Sequence, residues 1–219
     1  NKIDILTGHG KLLSEKKVSV TSSDKIKEYK AKNIIIATGS RSRELNSLPQ
    51  DGKKIIGYRE AMTLPKQPKK LIIVGSGAIG IEFAYFYNAM GTEVTIIEFM
   101  DRIIPVEDEE VSKQLEKSFK KSGIKIMTNS EVINSDSTGK EVKVIIKTSK
   151  GEETLTADVI LSAVGIKSNL ENLGIEELGI AVDSDKIMVN DFYQTNIPGY
   201  YAIGDVTSGQ ALAHVASAE

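Results

Sequence analysis

The glycine-rich stretch at residues 75–80, Gly-Ser-Gly-Ala-Ile-Gly, constrains the fold of this chain more than any other feature. An apolar run at residues 71–74 precedes it, and a pattern typical of a helix follows it. A second apolar run at residues 94–97 then ends at Glu98. Strand, spaced glycines, helix, strand and terminal acid in this order predict a β-α-β unit that binds a dinucleotide. An ordinary strand-to-helix turn is the competing interpretation, and the agreement in order and spacing argues against it.

Each glycine in such a turn has a physical role. Gly75 permits the tight turn, Gly77 leaves room for a pyrophosphate beside the backbone, and Gly80 lets the helix lie close to the sheet. The N–H groups and partial positive charge at the start of the helix attract the phosphates. Glu98 follows Gly75 at close to the usual spacing of about 20 residues, so its carboxylate can accept both ribose hydroxyls of an adenosine.

The same acid bears on the choice of cofactor. A carboxylate at position 98 would repel the 2′-phosphate of NADP, which favours NAD. Arg102 favours NADP instead, because a nearby arginine can accommodate that phosphate. We therefore predict NAD as the cofactor, with NADP as the alternative that Arg102 keeps open.

Composition excludes several classes of function. The chain has 219 residues, enough for one large or two modest domains, and its net charge of −2 argues against nucleic acid as a partner. It contains no cysteine, and His9 and His214 lie in no ligand-spaced cluster, so no metal site is predicted. No apolar run is long enough to span a bilayer and no secretory leader is visible, so we expect a cytoplasmic protein. Both ends of the sequence suggest an internal fragment.

Before the glycine-rich turn, strands are predicted at residues 3–7, 18–20 and 33–39, and the last of these runs into a turn. Residues 25–32 are charged and carry no predicted strand. Residues 40–68 contain three prolines and are interpreted as a connector, with a short helix at residues 58–63.

After the turn, two helices are predicted from the spacing of their apolar residues. The first should face the sheet with Ile79, Phe83, Ala84 and Tyr87. The second, at residues 108–122, repeats Val111, Leu115 and Phe119 every four residues. A parallel strand is predicted at residues 124–127, and an antiparallel meander at residues 130–134, 141–148 and 152–156. An apolar strand at residues 157–165 then ends in glycine.

A second candidate site follows a buried strand near the end of the chain. Residues 195–205 predict a turn, a strand and then Gly204-Asp205. An acid just beyond the carboxyl end of a strand lies where open α/β sheets bind ligands. Asp205 can accept hydrogen bonds from a polyol chain, although a turn aspartate that caps the strand is an equally weighted interpretation.

Four motifs in the chain resemble those of the flavoprotein pyridine nucleotide-disulfide reductases. They are Ala-Thr-Gly-Ser at residues 37–40, the glycine motif at 74–82 with its Glu82, Ala-Val-Gly at 163–165, and the segment 195–205. Shorter stretches at residues 8–11, 172–179 and 212–214 support the likeness. The resemblance covers nearly the whole chain.

The resemblance implies an α/β architecture of two parts. A Rossmann-like NAD-binding domain, with a parallel sheet and an antiparallel β-meander, is inserted into a partial, split FAD-binding domain. Residues 1–66 and 191–219 would belong to the FAD domain, and residues 67–190 to the NAD domain.

It also implies which residues bind the two cofactors, NAD and FAD. The NAD site would comprise Gly75, Ser76, Gly77, Ala78, Ile79, Gly80, Ile81, Glu82, Glu98, Val132 and Gly165. The FAD site would comprise Gly10, Thr38, Gly39, Ser40, Asp205, Ala211, Leu212, Ala213 and His214. In the family the glutamate at the position of Glu82 lies near the flavin and pairs with a lysine that this chain lacks. An exposed helix acid is the simpler interpretation of that residue.

For the intact protein, the resemblance implies an enzyme that passes electrons through a redox disulfide and FAD to NAD⁺. The redox cysteines and the catalytic base lie outside this chain, which contains no predicted catalytic residue and is expected to be inactive alone. Implied partners are the nucleotides, the lipoyl domain of 2-oxoacid dehydrogenase complexes, and a second copy of the chain once a C-terminal domain is present. An NADH oxidase, a mercuric reductase, a ferredoxin reductase and a non-catalytic NAD-binding module remain as alternatives.

Overall fold

The computed structural model describes residues 2–219. The strands are β1 (His9–Leu13), β2 (Lys17–Ser22), β3 (Lys25–Lys30), β4 (Ile34–Ile36), β5 (Ser40–Ser42), β6 (Ile55–Ile56), β7 (Lys70–Val74), β8 (Glu93–Ile97), β9 (Lys125–Met127), β10 (Glu131–Asp136), β11 (Val142–Thr148), β12 (Gly151–Ala157), β13 (Val159–Ser162), β14 (Ile166–Ser168), β15 (Val182–Asp183), β16 (Lys186–Ile187) and β17 (Tyr200–Ala202). The helices are α1 (Tyr58–Ala61), α2 (Ala78–Ala89), α3 (Glu109–Lys121), α4 (Ala213–Ala218) and a 3₁₀ turn at Gly204–Val206.

Residues Ser42–Ile166 form one compact unit around a five-stranded sheet in the order β6-β13-β7-β8-β9. Every neighbouring pair in this sheet is parallel. The carboxyl ends of its strands therefore share one edge, where the segments that follow β7, β8 and β13 begin. The two edge strands are the shortest in the sheet, with two residues in β6 and three in β9.

Both faces of this parallel sheet are buried, which explains why its strands are almost continuously apolar. On one face, Leu71 and Ile73 belong to a core cluster that includes residues of α2 and α3. On the other face, Ile72 and Val74 pack in a cluster with the antiparallel sheet β10-β11-β12. Alternate residues of one strand thus support two separate layers, as the pleat requires.

The antiparallel sheet confirms the predicted meander. In β11, Val142, Val144 and Ile146 are buried and alternate with exposed or half-buried residues. A bulge between Val132 and Asn134 shifts the register of β10 against β11. The alternation and the short glycine-containing turns were local signals, so the sequence contained enough information for this sheet.

The other unit combines residues 2–41 with Lys167–Glu219. It holds the antiparallel sheet β1-β2-β3, the hairpin β15-β16 and the parallel pair β17-β4. Ile34, Ile36, Tyr200 and Ala202 from the parallel pair form its core together with Ile187. The chain therefore has the α/β class that was predicted, with one unit inserted into the other in sequence.

Three local predictions were wrong. Residues 3–7 form no strand, and Ile3 and Ile5 are 75% and 87% exposed because no neighbouring strand pairs with them. The charged segment after residue 24 forms β3. Its composition does not indicate a strand, and the antiparallel pairing with β2 stabilises it. In α3, Val111 is exposed while Ser112 is buried and donates from its hydroxyl to the Ile103 carbonyl at 2.7 Å.

The limits of the two compact units differ from the predicted domain limits. The inserted unit begins at Ser42 rather than at residue 67 and ends at Ile166 rather than at residue 190. The assignment of domains to NAD and FAD stays a prediction. Among residues 2–219, no helix combines the length and apolar character needed to cross a lipid bilayer.

Candidate functional site

The turn between β7 and α2 is held tightly against the end of β13. Gly75 has a φ of +99°, and a Cβ built on it would lie 2.4 Å from the Ala163 carbonyl oxygen. The Ala163 amide donates to the Val74 carbonyl at 2.7 Å, and the Gly75 amide donates to the Ile97 carbonyl at 2.9 Å. Only glycine fits at position 75, and three parallel strands meet there.

The other two glycines of the motif have opposite surroundings. A Cβ on Gly80 would lie 2.1 Å from the Gly75 carbonyl oxygen, so the close approach of α2 to the turn requires glycine. A Cβ on Gly77 would meet no heavy atom within 4 Å, and the φ of Gly77 is an ordinary −68°. Nothing inside the protein therefore demands glycine at position 77. The open space beside its backbone fits an incoming diphosphate.

The first turn of α2 presents unpaired backbone donors to that space. Gly77 is the N-cap and no side chain caps the helix, whose first backbone bond runs from the Ile81 amide to the Gly77 carbonyl at 3.0 Å. The amides of Ala78, Ile79 and Gly80 consequently have no acceptor within the helix. No acidic residue lies in this first turn, so the positive end of the helix dipole is available to an anion.

Glu98 lies directly behind the turn and is only 7% exposed. Its Oε2 accepts from the Ser76 amide at 2.8 Å and from the Ser76 hydroxyl at 2.5 Å. Its Oε1 accepts from the Met100 amide at 2.8 Å. The carboxylate thus points toward the glycine turn, where the predicted ribose contact requires it.

Arg102 does not neutralise this carboxylate. Its Nη2 donates to the Pro105 carbonyl at 3.2 Å, and its Nε is buried without a partner among the described residues. No ion pair to Glu98 is present within residues 2–219. The negative charge behind the turn is therefore held by neutral donors alone.

The remaining residues of the predicted NAD site occupy three different settings. Gly165 follows β13 with a φ of +109°, and its carbonyl accepts from the Arg43 amide at 2.9 Å. The side chain of Val132 is buried in the cluster between the two sheets, which leaves only its backbone for a ligand. Glu82 is exposed on α2, and its carboxylate forms no hydrogen bond with another described residue. Its role beside a flavin stays a prediction.

In the other unit, the ends of β4 and β17 bring the two predicted FAD motifs together. The strands pair in parallel, and the Ser40 hydroxyl donates to Asp205 Oδ2 at 2.6 Å. The Thr38 hydroxyl donates to the Asn169 carbonyl at 2.7 Å, and the Asn169 amide donates to the Gly39 carbonyl at 2.9 Å. An acid and a glycine turn therefore lie side by side at the carboxyl edge of this pair.

Two residues that support Asp205 were not predicted. The Lys186 ammonium donates to the Asp205 carbonyl oxygen at 2.6 Å and to the Ser168 hydroxyl at 3.0 Å. The Ser168 hydroxyl in turn donates to the same carbonyl at 2.9 Å. Both residues are distant from Asp205 in sequence, and no local spacing signals the contact.

The other predicted FAD residues are less closely tied to Asp205. Gly10 lies within β1 opposite Val20. Ala211, Leu212, Ala213 and His214 are exposed at the start of α4. Across residues 2–219, no group of three or more His, Cys, Asp or Glu residues is placed to hold a metal ion.

Comparison with known proteins agrees with this geometry. A family model described as pyridine nucleotide-disulphide oxidoreductase matches residues 1–219. The dihydrolipoyl dehydrogenase of Rhizobium etli is 42% identical over 235 residues, which cover 100% of this chain and 49% of that protein. The dihydrolipoyl dehydrogenase of Zymomonas mobilis is 42% identical over 219 residues, covering 99% and 47%.

A solved structure gives the same result for the fold. LpdA from Mycobacterium tuberculosis superposes with a TM-score of 0.86 at 31% identity, covering 97% of this chain and 48% of LpdA. The chain thus spans about half the length of the relatives it matches. Enzymes of this family use NAD and FAD, which confirms both predicted cofactors at the level of the family. The chain belongs to the pyridine nucleotide-disulphide oxidoreductases.

Proposed function

We propose that this chain provides the NAD-binding platform and part of the FAD site of a dihydrolipoamide dehydrogenase. In the whole enzyme, dihydrolipoamide would be reoxidised through a redox disulfide and FAD, with two electrons and one proton delivered to NAD⁺ and one proton released. The cofactors carry this redox chemistry, whereas the protein supplies binding, orientation and electrostatics. The names of the relatives and the geometry of the glycine turn support the proposal.

The open position at Gly77 is the observation that carries the NAD assignment. A glycine with an ordinary φ and no neighbour within 4 Å of its Cβ position is not explained by packing. It lies beside uncapped helix amides and in the same turn as Ser76, which binds the buried Glu98 carboxylate. A diphosphate on the amides and an adenosine ribose on the acid fit this arrangement.

Titration calorimetry of the 219-residue chain tests the assignment. We expect NADH to bind and NADPH to bind at least tenfold more weakly, because the uncompensated Glu98 charge repels a 2′-phosphate. Tight binding of NADPH without binding of NADH would contradict the proposal.

A glycine pair sharpens this experiment. Gly77→Ala places a methyl group in the open space and should weaken NADH binding at least tenfold, while its unfolding free energy changes by less than about 1 kcal/mol. Gly139→Ala is the matched control, since Gly139 lies in the turn between β10 and β11, and its Cβ would be 3.4 Å from the nearest atom. Equal NADH affinity in both variants would argue against the diphosphate position.

Three further proposals concern the whole protein, of which this chain is a part. We propose the lipoyl domain of a 2-oxoacid dehydrogenase complex as its partner, a homodimer as its assembly and the cytoplasm as its location. An assay of the parent protein for dihydrolipoamide-dependent reduction of NAD⁺, beside an assay for NADH oxidation by oxygen, distinguishes a dehydrogenase from an oxidase of the same family.

A further inference from the structure

A cleft of about 610 Å³ lies at the amino-terminal edge of the parallel sheet. The segments that lead into β6, β7 and β13 line it, together with the turn between β10 and β11. Because these three strands are parallel, their starts share one edge of the sheet, and the glycine turn after β7 lies at the opposite edge. The volume is within the usual range of about 300–1,000 Å³ for small-molecule sites. The cleft can therefore hold a ligand without obstructing the candidate NAD site.

Positive charge is concentrated around this cleft. Four lysines from separate parts of the inserted unit line it, and among the described residues the lining contains one acid, Asp158. The lysines are Lys53, Lys66, Lys69 and Lys140. None of them forms an ion pair with another residue of the described range 2–219. The whole chain carries a net charge of −2, so this excess of positive charge is a local feature.

The carboxylate of Asp158 is bound to backbone amides rather than to the lysine side chains. Its Oδ2 accepts from the Lys69 amide at 2.8 Å and from the Lys70 amide at 2.9 Å. The Asp158 amide donates to the Lys70 carbonyl at 3.1 Å. These hydrogen bonds join the start of β7 to the start of β13. The four ammonium groups consequently remain available to an anion.

Hydrogen bonds also fix the backbone beside two of the other lysines. Asp51 Oδ1 accepts from the Lys53 amide at 2.8 Å. The Lys54 ammonium donates to the Ser137 carbonyl at 2.9 Å, in the turn that also contains Lys140. The backbone positions of the charged residues are therefore set before a ligand binds, which lowers the entropic cost of binding.

We propose that this cleft binds a small anion that carries a chain of two or more phosphate groups. The lysine ammonium is a compact charge with three donors and is a common ligand of phosphate. Four such groups around a cleft of this size suit a ligand whose negative charges are distributed along a chain. The apolar part of the lining, which includes Pro68 and Val159, offers a surface to an organic group attached to the phosphates. This site is separate from the proposed NAD site and does not depend on it.

Titration calorimetry of the 219-residue chain with inorganic tripolyphosphate tests the proposal. We expect a Kd about tenfold lower than for orthophosphate, because several further ion pairs form, and a loss of affinity at high salt. Lys69→Gln combined with Lys140→Gln should raise the Kd for tripolyphosphate about tenfold. The matched control combines Lys117→Gln with Lys125→Gln, which removes the same charge from two exposed lysines outside the cleft and should keep the wild-type Kd.

The uncapped amides of α2 are a second place where a phosphate chain would bind. Gly77→Ala fills the space beside them, so we expect tripolyphosphate binding at the cleft to persist in that variant. The Lys69 and Lys140 double variant should in turn keep the wild-type Kd for NADH. Adenosine triphosphate, titrated against Gly77→Ala, distinguishes two sources of the ligand. Tighter binding than that of tripolyphosphate assigns an organic polyphosphate, whereas equal or weaker binding assigns free polyphosphate.

Three results would overturn the proposal of a polyphosphate site. They are an absence of tripolyphosphate binding, its loss in Gly77→Ala, and an equal loss in the two lysine double variants. Each of them leaves the NAD site standing, since that site is decided by the titration with NADH. Thermal unfolding of every variant checks that the fold is retained.

Discussion

At the scale of single residues, the glycines of the turn between β7 and α2 are required for different reasons. Gly80 is surrounded by backbone, whereas Gly77 is surrounded by open space. A methyl group at Gly80 would lie 2.1 Å from the Gly75 carbonyl oxygen, which cannot move without disturbing the end of β7. The same motif therefore combines a requirement of folding at Gly80 with the requirement of binding that we propose for Gly77.

We predict that Gly80→Ala lowers the unfolding free energy by about 3 kcal/mol, the upper range for overpacking. Urea denaturation measures this change. Gly77→Ala is the comparison, and a loss of equal size in that variant would contradict the account of the two positions.

The carboxylate of Glu171 forms ion pairs with two cationic side chains. Hydrogen bonds from Arg41 and then from Lys167 hold the pKa of its carboxyl far below the usual 4.5, with the closest contact at 2.6 Å. Because the folded pKa is depressed, the stabilisation is present above pH 4.5 and is lost as pH falls below it.

We predict that Glu171→Gln lowers the unfolding free energy at pH 7 by no more than about 1 kcal/mol, because the pair is half exposed and screened by solvent. The difference from wild type should narrow as the pH falls below 4.5. Denaturation curves at several pH values, repeated at high salt, measure this difference in unfolding free energy. A difference that grows as the pH falls would contradict the predicted pH dependence.

At the scale of elements, α3 buries Phe119 of its apolar repeat but exposes Val111 of the same repeat and buries Ser112 instead. Asp108 caps the N-terminus of α3, and its carboxylate accepts a hydrogen bond from the Glu110 amide at 2.8 Å. The Ser112 hydroxyl donates to the Ile103 carbonyl, whereas the side chain of Val111 is 52% exposed to solvent.

Truncation of α3 side chains should follow burial rather than the sequence repeat. Phe119→Ala is expected to cost about 4 kcal/mol of unfolding free energy, since it opens a cavity in the sheet-facing core. Val111→Ala should cost less than about 0.5 kcal/mol. Chemical denaturation measures the unfolding free energy of both variants. Similar losses in the two would contradict the exposed position of Val111.

The sequence could predict those elements whose signals are local. The β-α-β unit, the meander and both long helices depend on periodicity and glycines within short windows, and they were confirmed. β3 was missed because its stability comes from pairing with β2, and its charged composition gives no apolar alternation. Residues 3–7 show the reverse case, in which alternation exists but no partner strand does.

The candidate site also contains some features that the sequence could predict and others that it could not. The position of Glu98 behind the turn follows from the order of elements, so the sequence was sufficient for it. The hydrogen bond between Ser76 and Glu98 depends on side-chain direction, and the contact of Lys186 with Asp205 joins distant segments. Neither could be read from spacing alone, although a serine between the glycines was a visible signal.

For the whole molecule, the two predicted cofactor sites are divided between the two units. Every residue of the predicted NAD site lies within Ser42–Ile166, and every residue of the predicted FAD site lies in the other unit. The inserted unit also has two core clusters of its own. Its residues are continuous in sequence, so it can be produced as a single polypeptide.

We predict that residues 42–166, expressed alone, unfold cooperatively and bind NADH with an affinity within about threefold of the full chain. Circular dichroism and calorimetry measure the two properties. A polypeptide that folds but has lost NADH binding would show that the other unit contributes to the site.

The edges of the sheets have a consequence for behaviour at high concentration. β6 and β9 end the parallel sheet with two and three residues, so few unpaired backbone groups are offered to a neighbouring molecule. β3 is exposed along its whole length and carries three lysines, whose like charges repel an approaching copy. In crowded solutions of the protein, these three edges should therefore resist the strand-to-strand stacking that seeds amyloid.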